Sequence, residues 1–220
     1  KVCILSPLYI NKYISENKNE INIKGIKIPY IKKSTKLIKF INYCLSIRQL
    51  KELSSDILHE TYYAKRSIAS GREKIILTVY DMIHELFPSQ FHSSDKTSEL
   101  KRIAVERADH IICISENTRK DLIKLFKVPE EKTSVIYLGF DLNDKNNVNF
   151  KLPKEKIILF VGTRKGYKNF KNLAIAFAQN DEIKSTFKLV AFGGGPFSIE
   201  EKTFFREIGL SNSNIIQENG

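Results

Sequence analysis

The sequence predicts an α/β protein of two domains, each built on a parallel sheet. Three observations carry that expectation. Short apolar runs recur along the 220 residues, with helical patterns between several of them. The runs are apolar throughout rather than alternating, as in strands covered on both faces. The series is interrupted once, by the polar stretch from Asp141 to Lys156, and then restarts.

Taken in order, Val2 to Leu5 reads as a strand. It is too short and too soon broken by Ser6-Pro7 for a signal peptide. Without an initiator Met, the chain is expected to begin inside a larger protein. Ile21 to Ile28 alternates apolar and polar residues, so it is a further strand or an exposed ribbon. Ser34 is placed to cap a helix running to about Leu53, in which Leu37, Ile38, Phe40, Ile41, Cys44, Leu45, Leu50 and Leu53 recur near the helical period.

Strands follow at Asp56 to His59, Ile75 to Tyr80, His110 to Ser115 and Ser134 to Leu138. Helices fall near Ser98 to Arg107 and Asn117 to Phe126, the second closed by Lys127-Val128-Pro129. Ser115, or Thr118 with Asp121, can cap that second helix. Glu85 to Ser98 reads as a long loop that can cover an acceptor. After the linker, 141–156, come a strand at Ile157 to Val161, a helix near Asn169 to Ala178, a strand at Phe187 to Phe192, a helix near Ile199 to Ile208 and a short run at Ile215-Ile216. The two series are expected to form two Rossmann-like domains, 1–140 and 157–220.

Charge narrows the function. The formal net charge is +11, and it is uneven. From Ile21 to Lys51 there is no Asp or Glu, while Lys24, Lys27, Lys32, Lys33, Lys36, Lys39, Arg48 and Lys51 fall in the same stretch. Such a cluster suits an anionic surface, membrane or nucleic acid. Nucleic-acid modules with these strand motifs are not apparent, so a membrane surface contacted through residues 21–51 is the expected partner. No apolar run reaches the roughly 20 residues that span a bilayer. Cys3, Cys44 and Cys113 are far apart and without a CxxC pair, so they are expected as reduced, mostly buried thiols of a cytoplasmic protein. The four histidines lack metal-ligand spacing, and no metal is expected.

Ligands of open α/β sheets bind at the carboxyl ends of strands. That rule selects His59, then Tyr80, Asp81 and His84, then Ser115, then Gly139, then Gly162, Thr163, Arg164 and Lys168, and finally Gly193 and Gly194. The richest of these ends is Val161-Gly162-Thr163-Arg164-Lys165-Gly166-Tyr167-Lys168-Asn169-Phe170. A buried strand stops at a glycine, cations follow, and a helix begins. Glycine admits close backbone approach and a helix N-terminus offers N–H groups, so the turn suits an anion such as a diphosphate. Arg164 and Lys168 are the candidate cations, with Lys165 left to solvent. Asp81 and His84 can position an acceptor hydroxyl or act as acid and base; a structural turn accounts for them equally well. Gly193-Gly194-Gly195 reads either as a tight turn or as a close approach to a nucleotide. Neither a GxGxxG fingerprint nor a Walker motif is present, which weighs against a dinucleotide enzyme and a nucleoside triphosphatase.

Five pieces in order resemble a known family: Asp56-Ile57-Leu58-His59-Glu60-Thr61-Tyr62-Tyr63; Thr78 to Pro88; Arg107 to Thr118 with Asp121-Leu122; Val135-Ile136-Tyr137-Leu138-Gly139; and Val161 to Phe170. The set is similar to the retaining glycosyltransferases of family 4, of the GT-B fold. The resemblance implies two Rossmann-like domains with the active site between them. The donor diphosphate would lie on the second domain and the acceptor on the first.

It also implies a GDP-, UDP- or dTDP-sugar donor, a saccharide or lipid-linked acceptor in surface polysaccharide synthesis, and no metal or other cofactor. Lys168 matches the family's diphosphate lysine. Thr163 intervenes before Arg164, where many members carry the arginine directly after the glycine, and Tyr80 stands where many carry a histidine. The family's Gly-rich loop would precede Lys1, and its paired glutamates would follow Gly220. Both domains are therefore expected to be incomplete in this chain, which alone would have little or no transferase activity. The other readings are a non-catalytic nucleotide or sugar binder and a basic nucleic-acid-binding protein.

Overall fold

A computed structural model describes residues 2–16, 22–139 and 155–218, the side chains of residues 15 and 16 excepted. The chain divides into two compact units, Lys1–Gly139 and Phe140–Gly220. Most of the polar stretch 141–156 lies outside the described residues.

The first unit opens with β1 (Ile4–Tyr9), α1 (Lys12–Glu16), β2 (Ile23–Lys27) and α2 (Thr35–Glu52). β1 and β2 pair in parallel, and their register shifts between Leu5 and Leu8. The strand thus runs through Ser6-Pro7, where the sequence suggested an end, because an irregular ladder tolerates a proline that cannot donate. Gly25 makes the approach possible: a Cβ there would sit 1.8 Å from the Ser6 carbonyl oxygen.

α2 packs on β1 through an unexpected polar residue. The Asn42 amide accepts from the Leu8 N–H at 2.8 Å and donates to the Leu8 carbonyl at 2.9 Å. Ser34 precedes α2 but does not cap it; it has helical dihedrals and its hydroxyl donates to the Ile31 carbonyl at 2.7 Å. The helix lies where the apolar spacing placed it, with Leu37 and Phe40 exposed on it; against expectation Cys44 is exposed and Cys3 only half-buried. Of the three thiols Cys113 alone is buried, and burial pushes its thiol up to about 11.

The main sheet of the unit is wholly parallel, in the order β3 (Ile57–Glu60), β4 (Lys74–Val79), β5 (His110–Cys113) and β6 (Thr133–Val135). Leu77, Val79, Ile111 and Cys113 form the core with Ala104 and Val105 of α4 (Thr97–Arg107) and Leu122 of α5 (Glu116–Phe126). β6 is shorter than the sequence suggested, and Ile136, Tyr137 and Leu138 are exposed beyond it. Ile136 still donates to the Cys113 carbonyl at 3.0 Å. The supposed loop from Glu85 to Ser98 is largely turned structure: α3 (Ile83–Leu86), a 3₁₀ turn at Pro88–Gln90, then the start of α4.

The second unit contains β7 (Lys156–Val161), α6 (Phe170–Gln179), α7 (Asp181–Thr186), β8 (Phe187–Phe192), α8 (Ile199–Glu207) and β9 (Ile215–Glu218). Its sheet is parallel in the order β7-β8-β9. Phe170, Ala174, Phe177, Leu189, Ala191, Phe205 and Ile215 make its core. The helix α7 was not anticipated; Asn180 caps it by accepting from the Ile183 N–H at 2.9 Å.

Candidate functional site

Each unit presents one chemically marked turn at the carboxyl end of a strand. In the second unit, β7 ends in Gly162, whose φ of +119° is open only to glycine at low cost. Its N–H donates to the Phe192 carbonyl at 2.9 Å, which ties the turn to the end of β8. A Cβ on Gly162 would fall 2.4 Å from the Lys168 ammonium. The lysine thus folds back from the 3₁₀ turn Gly166–Lys168, just before α6, over the glycine, into the space a side chain would have taken. Lys168 is exposed, and its ammonium lies at a long 3.5 Å from the Val161 carbonyl. Thr163 and Lys165 are exposed beside it.

Arg164 points the other way. Its side chain is 5% exposed and pairs with Glu201 of α8, Nε to Oε1 at 2.7 Å and Nη2 to Oε2 at 3.1 Å. Nη1 donates to the carbonyls of Gly193 and Gly195 at 2.9 and 3.0 Å, and Nη2 to that of Pro196 at 3.1 Å. The guanidinium also lies 4.8 Å from the Phe197 ring centroid. Gly193 and Gly194 thus sit beside the Gly162 turn, with a Cβ on Gly194 falling 3.2 Å from the Gly162 carbonyl oxygen. Glu201 serves two elements, because it also completes the capping box of α8 with Ser198. The hydrogen bond from Arg164 holds its carboxyl below the usual carboxylate range.

In the first unit the turn after β4 carries Tyr80, Asp81 and His84. The Asp81 carboxylate accepts from the Ile83 N–H at 3.1 Å and remains 47% exposed. His84 stacks on Phe91 with centroids 3.9 Å apart, and its Nε2 is 3.8 Å from Asp95 Oδ2. Its buried Nδ1 has no hydrogen-bond partner among the described residues. The N–H of Tyr80 reaches the Tyr63 hydroxyl at 3.4 Å, and burial raises the pKa of that phenol. Tyr62 lies over Tyr63 and 6.5 Å from Tyr80, so three rings edge the turn.

Beneath it lies Lys101, which the sequence reading did not single out. Its side chain is 1% exposed; the ammonium donates to the Asp81 carbonyl and to Glu85 Oε2, both at 2.7 Å. A signal was available: Lys101 falls at helical spacing with Ala104, Val105 and Ala108, the buried stripe of α4.

The other selected residues hold the framework. His59 Nε2 lies 2.8 Å from Thr78 Oγ1 on the neighbouring strand. Ser115 caps α5, its hydroxyl accepting from the Thr118 N–H at 3.1 Å, and Thr118 donates onward to the Tyr80 carbonyl at 3.1 Å. Gly139 has nothing within 4 Å of where a Cβ would be. Among the described residues no group of three or more His, Cys, Asp or Glu is placed to hold a metal ion, and no helix is long and apolar enough to cross a membrane.

Residues 4–144 match the model of Glycosyltransferase Family 4. The O-antigen chain mannosyltransferase RfbU of Salmonella typhimurium strain LT2 is 24% identical over 151 residues, which are 64% of this chain and 42% of that protein. Among solved structures, a glycosyltransferase from Rickettsia africae ESF-5 superposes with a TM-score of 0.56 at 16% identity, over 97% of this chain and 59% of its own. The lipopolysaccharide outer core galactosyltransferase WaaB, in its apo form, gives a TM-score of 0.56 at 19% identity, over 91% of this chain and 53% of its own. WaaG, a glycosyltransferase involved in lipopolysaccharide biosynthesis, gives 0.53 at 13%, over 90% and 57%. The chain thus spans roughly half the length of the proteins it resembles.

Proposed function

This chain belongs to glycosyltransferase family 4, with the parallel α/β architecture of the GT-B type, and on that premise we propose that it is part of a retaining sugar transferase. The donor is a nucleotide-diphosphate sugar, the acceptor a saccharide or lipid-linked saccharide, and the product a surface polysaccharide. The similarity to an O-antigen mannosyltransferase supports that setting. The observation that carries the reading is the exposed Lys168 ammonium folded over Gly162 at the carboxyl end of β7. When the bond between the anomeric carbon and the diphosphate oxygen breaks, negative charge grows on the diphosphate. An ammonium at that point stabilises the charge as it develops. The acceptor hydroxyl supplies the new glycosidic oxygen, and Asp81, half-exposed at the end of β4, is the carboxylate to which we assign its hydrogen bond.

The reading extends to an anionic membrane surface. Asn42 fixes the inward face of α2. At about 100° per residue the opposite face carries Leu37, Phe40, Lys36, Arg48 and Lys51. Leu37 and Phe40 are 62% and 65% exposed. Apolar side chains ringed by cations suit the interface of an anionic bilayer. Co-sedimentation with phosphatidylglycerol vesicles, and not with phosphatidylcholine vesicles, is expected, weakened by Phe40→Ala; equal binding to both removes the charge argument.

Calorimetry with GDP, UDP and dTDP tests the central reading. At least one should bind, and Lys168→Ala should weaken that binding by about tenfold or more, the loss of a charge-assisted hydrogen bond. Unchanged affinity in the variant removes Lys168 from the site.

A further inference from the structure

The structure assigns Arg164 to positioning rather than to the donor: with Glu201 it braces the Gly193–Pro196 loop against the β7 turn, and diphosphate recognition there falls to Lys168. This rests on the reading of that turn as a nucleotide-diphosphate site. Sequence order alone pairs Arg164 with Lys168 as two cations of one anion site; the geometry separates them.

The argument is one of donor supply. A guanidinium has five N–H donors and no acceptor. The Nε–H of Arg164 goes to Glu201 Oε1, the two on Nη1 go to the Gly193 and Gly195 carbonyls, and the two on Nη2 go to the Pro196 carbonyl and Glu201 Oε2. Every donor is therefore engaged within the unit, and the side chain is 5% exposed with its face on Phe197. A phosphate could reach Arg164 only by displacing one of these partners, and four of the five bonds, all but the exposed one to Pro196, are part-buried, where a lost partner is costly. Lys168 faces less of that cost, being exposed and, among the described residues, held by its long bond to the Val161 carbonyl.

What the brace does follows from the loop it holds. Gly193, Gly194 and Gly195 have φ of +85°, +73° and +73°. Three successive glycines lose much conformational freedom when fixed this way. Arg164 offsets that loss by gathering the carbonyls of residues 193, 195 and 196 onto one planar group. Gly194 is packed so close that a Cβ there would lie 3.0 Å from Arg164 Nη1. Loop, guanidinium and the Gly162 turn thus form one packed assembly under the site that Lys168 faces.

The test combines nucleotide affinity with backbone exchange in Arg164→Met, Arg164→Lys, Glu201→Gln and the Arg164→Met/Glu201→Gln double variant. GDP and UDP are the probes, and amide hydrogen exchange is read at residues 193–195. A brace predicts that Arg164→Met and Glu201→Gln weaken binding to a similar extent, about three- to tenfold, with the double variant no worse than the more damaging single one. Exchange at 193–195 should accelerate in both, and Arg164→Lys should not rescue, because three donors cannot replace a planar five.

A direct phosphate ligand predicts the opposite. Glu201→Gln would then leave affinity unchanged or raise it, and Arg164→Lys would restore much of it. That result, or unaltered exchange in both single variants, overturns the assignment. If wild-type protein binds no nucleotide, or Lys168→Ala is without effect, it is the diphosphate reading that fails. The exchange data then still decide whether Arg164 braces the loop.

Discussion

The turns after β4 and β7 solve the same problem in different ways. Each places a cation–carboxylate pair behind a strand end and leaves one charged group of the opposite role outside. After β4 the inner pair is Lys101 with Glu85, and the half-exposed group is the Asp81 carboxylate, its Oδ1 3.8 Å from the Lys101 ammonium. After β7 the inner pair is Arg164 with Glu201, and the exposed group is the Lys168 ammonium. The pairs differ in how completely they are satisfied. Arg164 has all its donors engaged, whereas Glu85 Oε1 and the neighbouring His84 Nδ1 are buried without partners among the described residues. The lesson is that a charge at a strand end is open to a ligand only so far as the framework has not already engaged it.

The largest expected effect is at the less satisfied pair. Lys101→Met leaves Glu85 buried beside an apolar group, a loss of about 3–5 kcal/mol for breaking a buried pair. Urea unfolding, with exchange in β4 and β5 as the reporter, should show the first unit destabilised and the second untouched. Lys101→Met with Glu85→Leu should recover much of the loss, since replacing both partners removes the stranded charge. If the double variant is as unstable as the single, the cost lies in the bond to the Asp81 carbonyl rather than in the ion pair.

Gly162→Ala tests the exposed cation of the other turn. A φ of +119° strains any side chain by about 1–3 kcal/mol, and the new Cβ would force the Lys168 ammonium away. Nucleotide affinity should therefore fall with Gly162→Ala as it does with Lys168→Ala. Retained affinity with lost stability would show that Lys168 works from another position. A smaller effect belongs to the first unit: Ser115→Ala removes the α5 cap at a cost of about 1 kcal/mol, measurable as a lower urea midpoint with an unchanged slope.

Much of the architecture was legible because its causes are local. Apolar runs marked the strands of both parallel sheets, and the strand-end rule placed Asp81 in the turn after β4 and Gly162 and Lys168 in the turn after β7. What was not legible depends on pairing across the fold. Nothing near Ser6-Pro7 shows that β2 will bring a glycine against it. The helical spacing of Leu37 and Phe40 does not say which face of α2 is covered; that follows from Asn42, which turns the opposite face inward. Arg164 and Lys168 sit four positions apart, and the engagement of Arg164 depends on Glu201, 37 residues away. Lys101 could have been found, since a lysine on the apolar stripe of α4 requires a buried partner. No partner could be named until α3 placed Glu85 above it.

The smallest expected effect sharpens the contrast between the pairs through pH. Glu201 is held below its ordinary value chiefly by the hydrogen bond from Arg164, so the folded second unit binds its proton less readily than the unfolded chain does. A depressed carboxyl contributes its full stability above the ordinary value, near pH 4.5, and loses it as pH falls from there through the lowered value. Acid breaks the pair from the carboxylate side, by protonating Glu201. The same protonation loosens the α8 cap, because Glu201 also accepts from the Ser198 N–H at 2.8 Å. Thermal melts of the second unit should therefore be flat at neutral pH and decline in this acid range. Glu201→Gln should start lower and decline less. If wild type and variant fall in parallel, the acid sensitivity lies elsewhere and the Arg164–Glu201 bond is not what holds that carboxyl ionised.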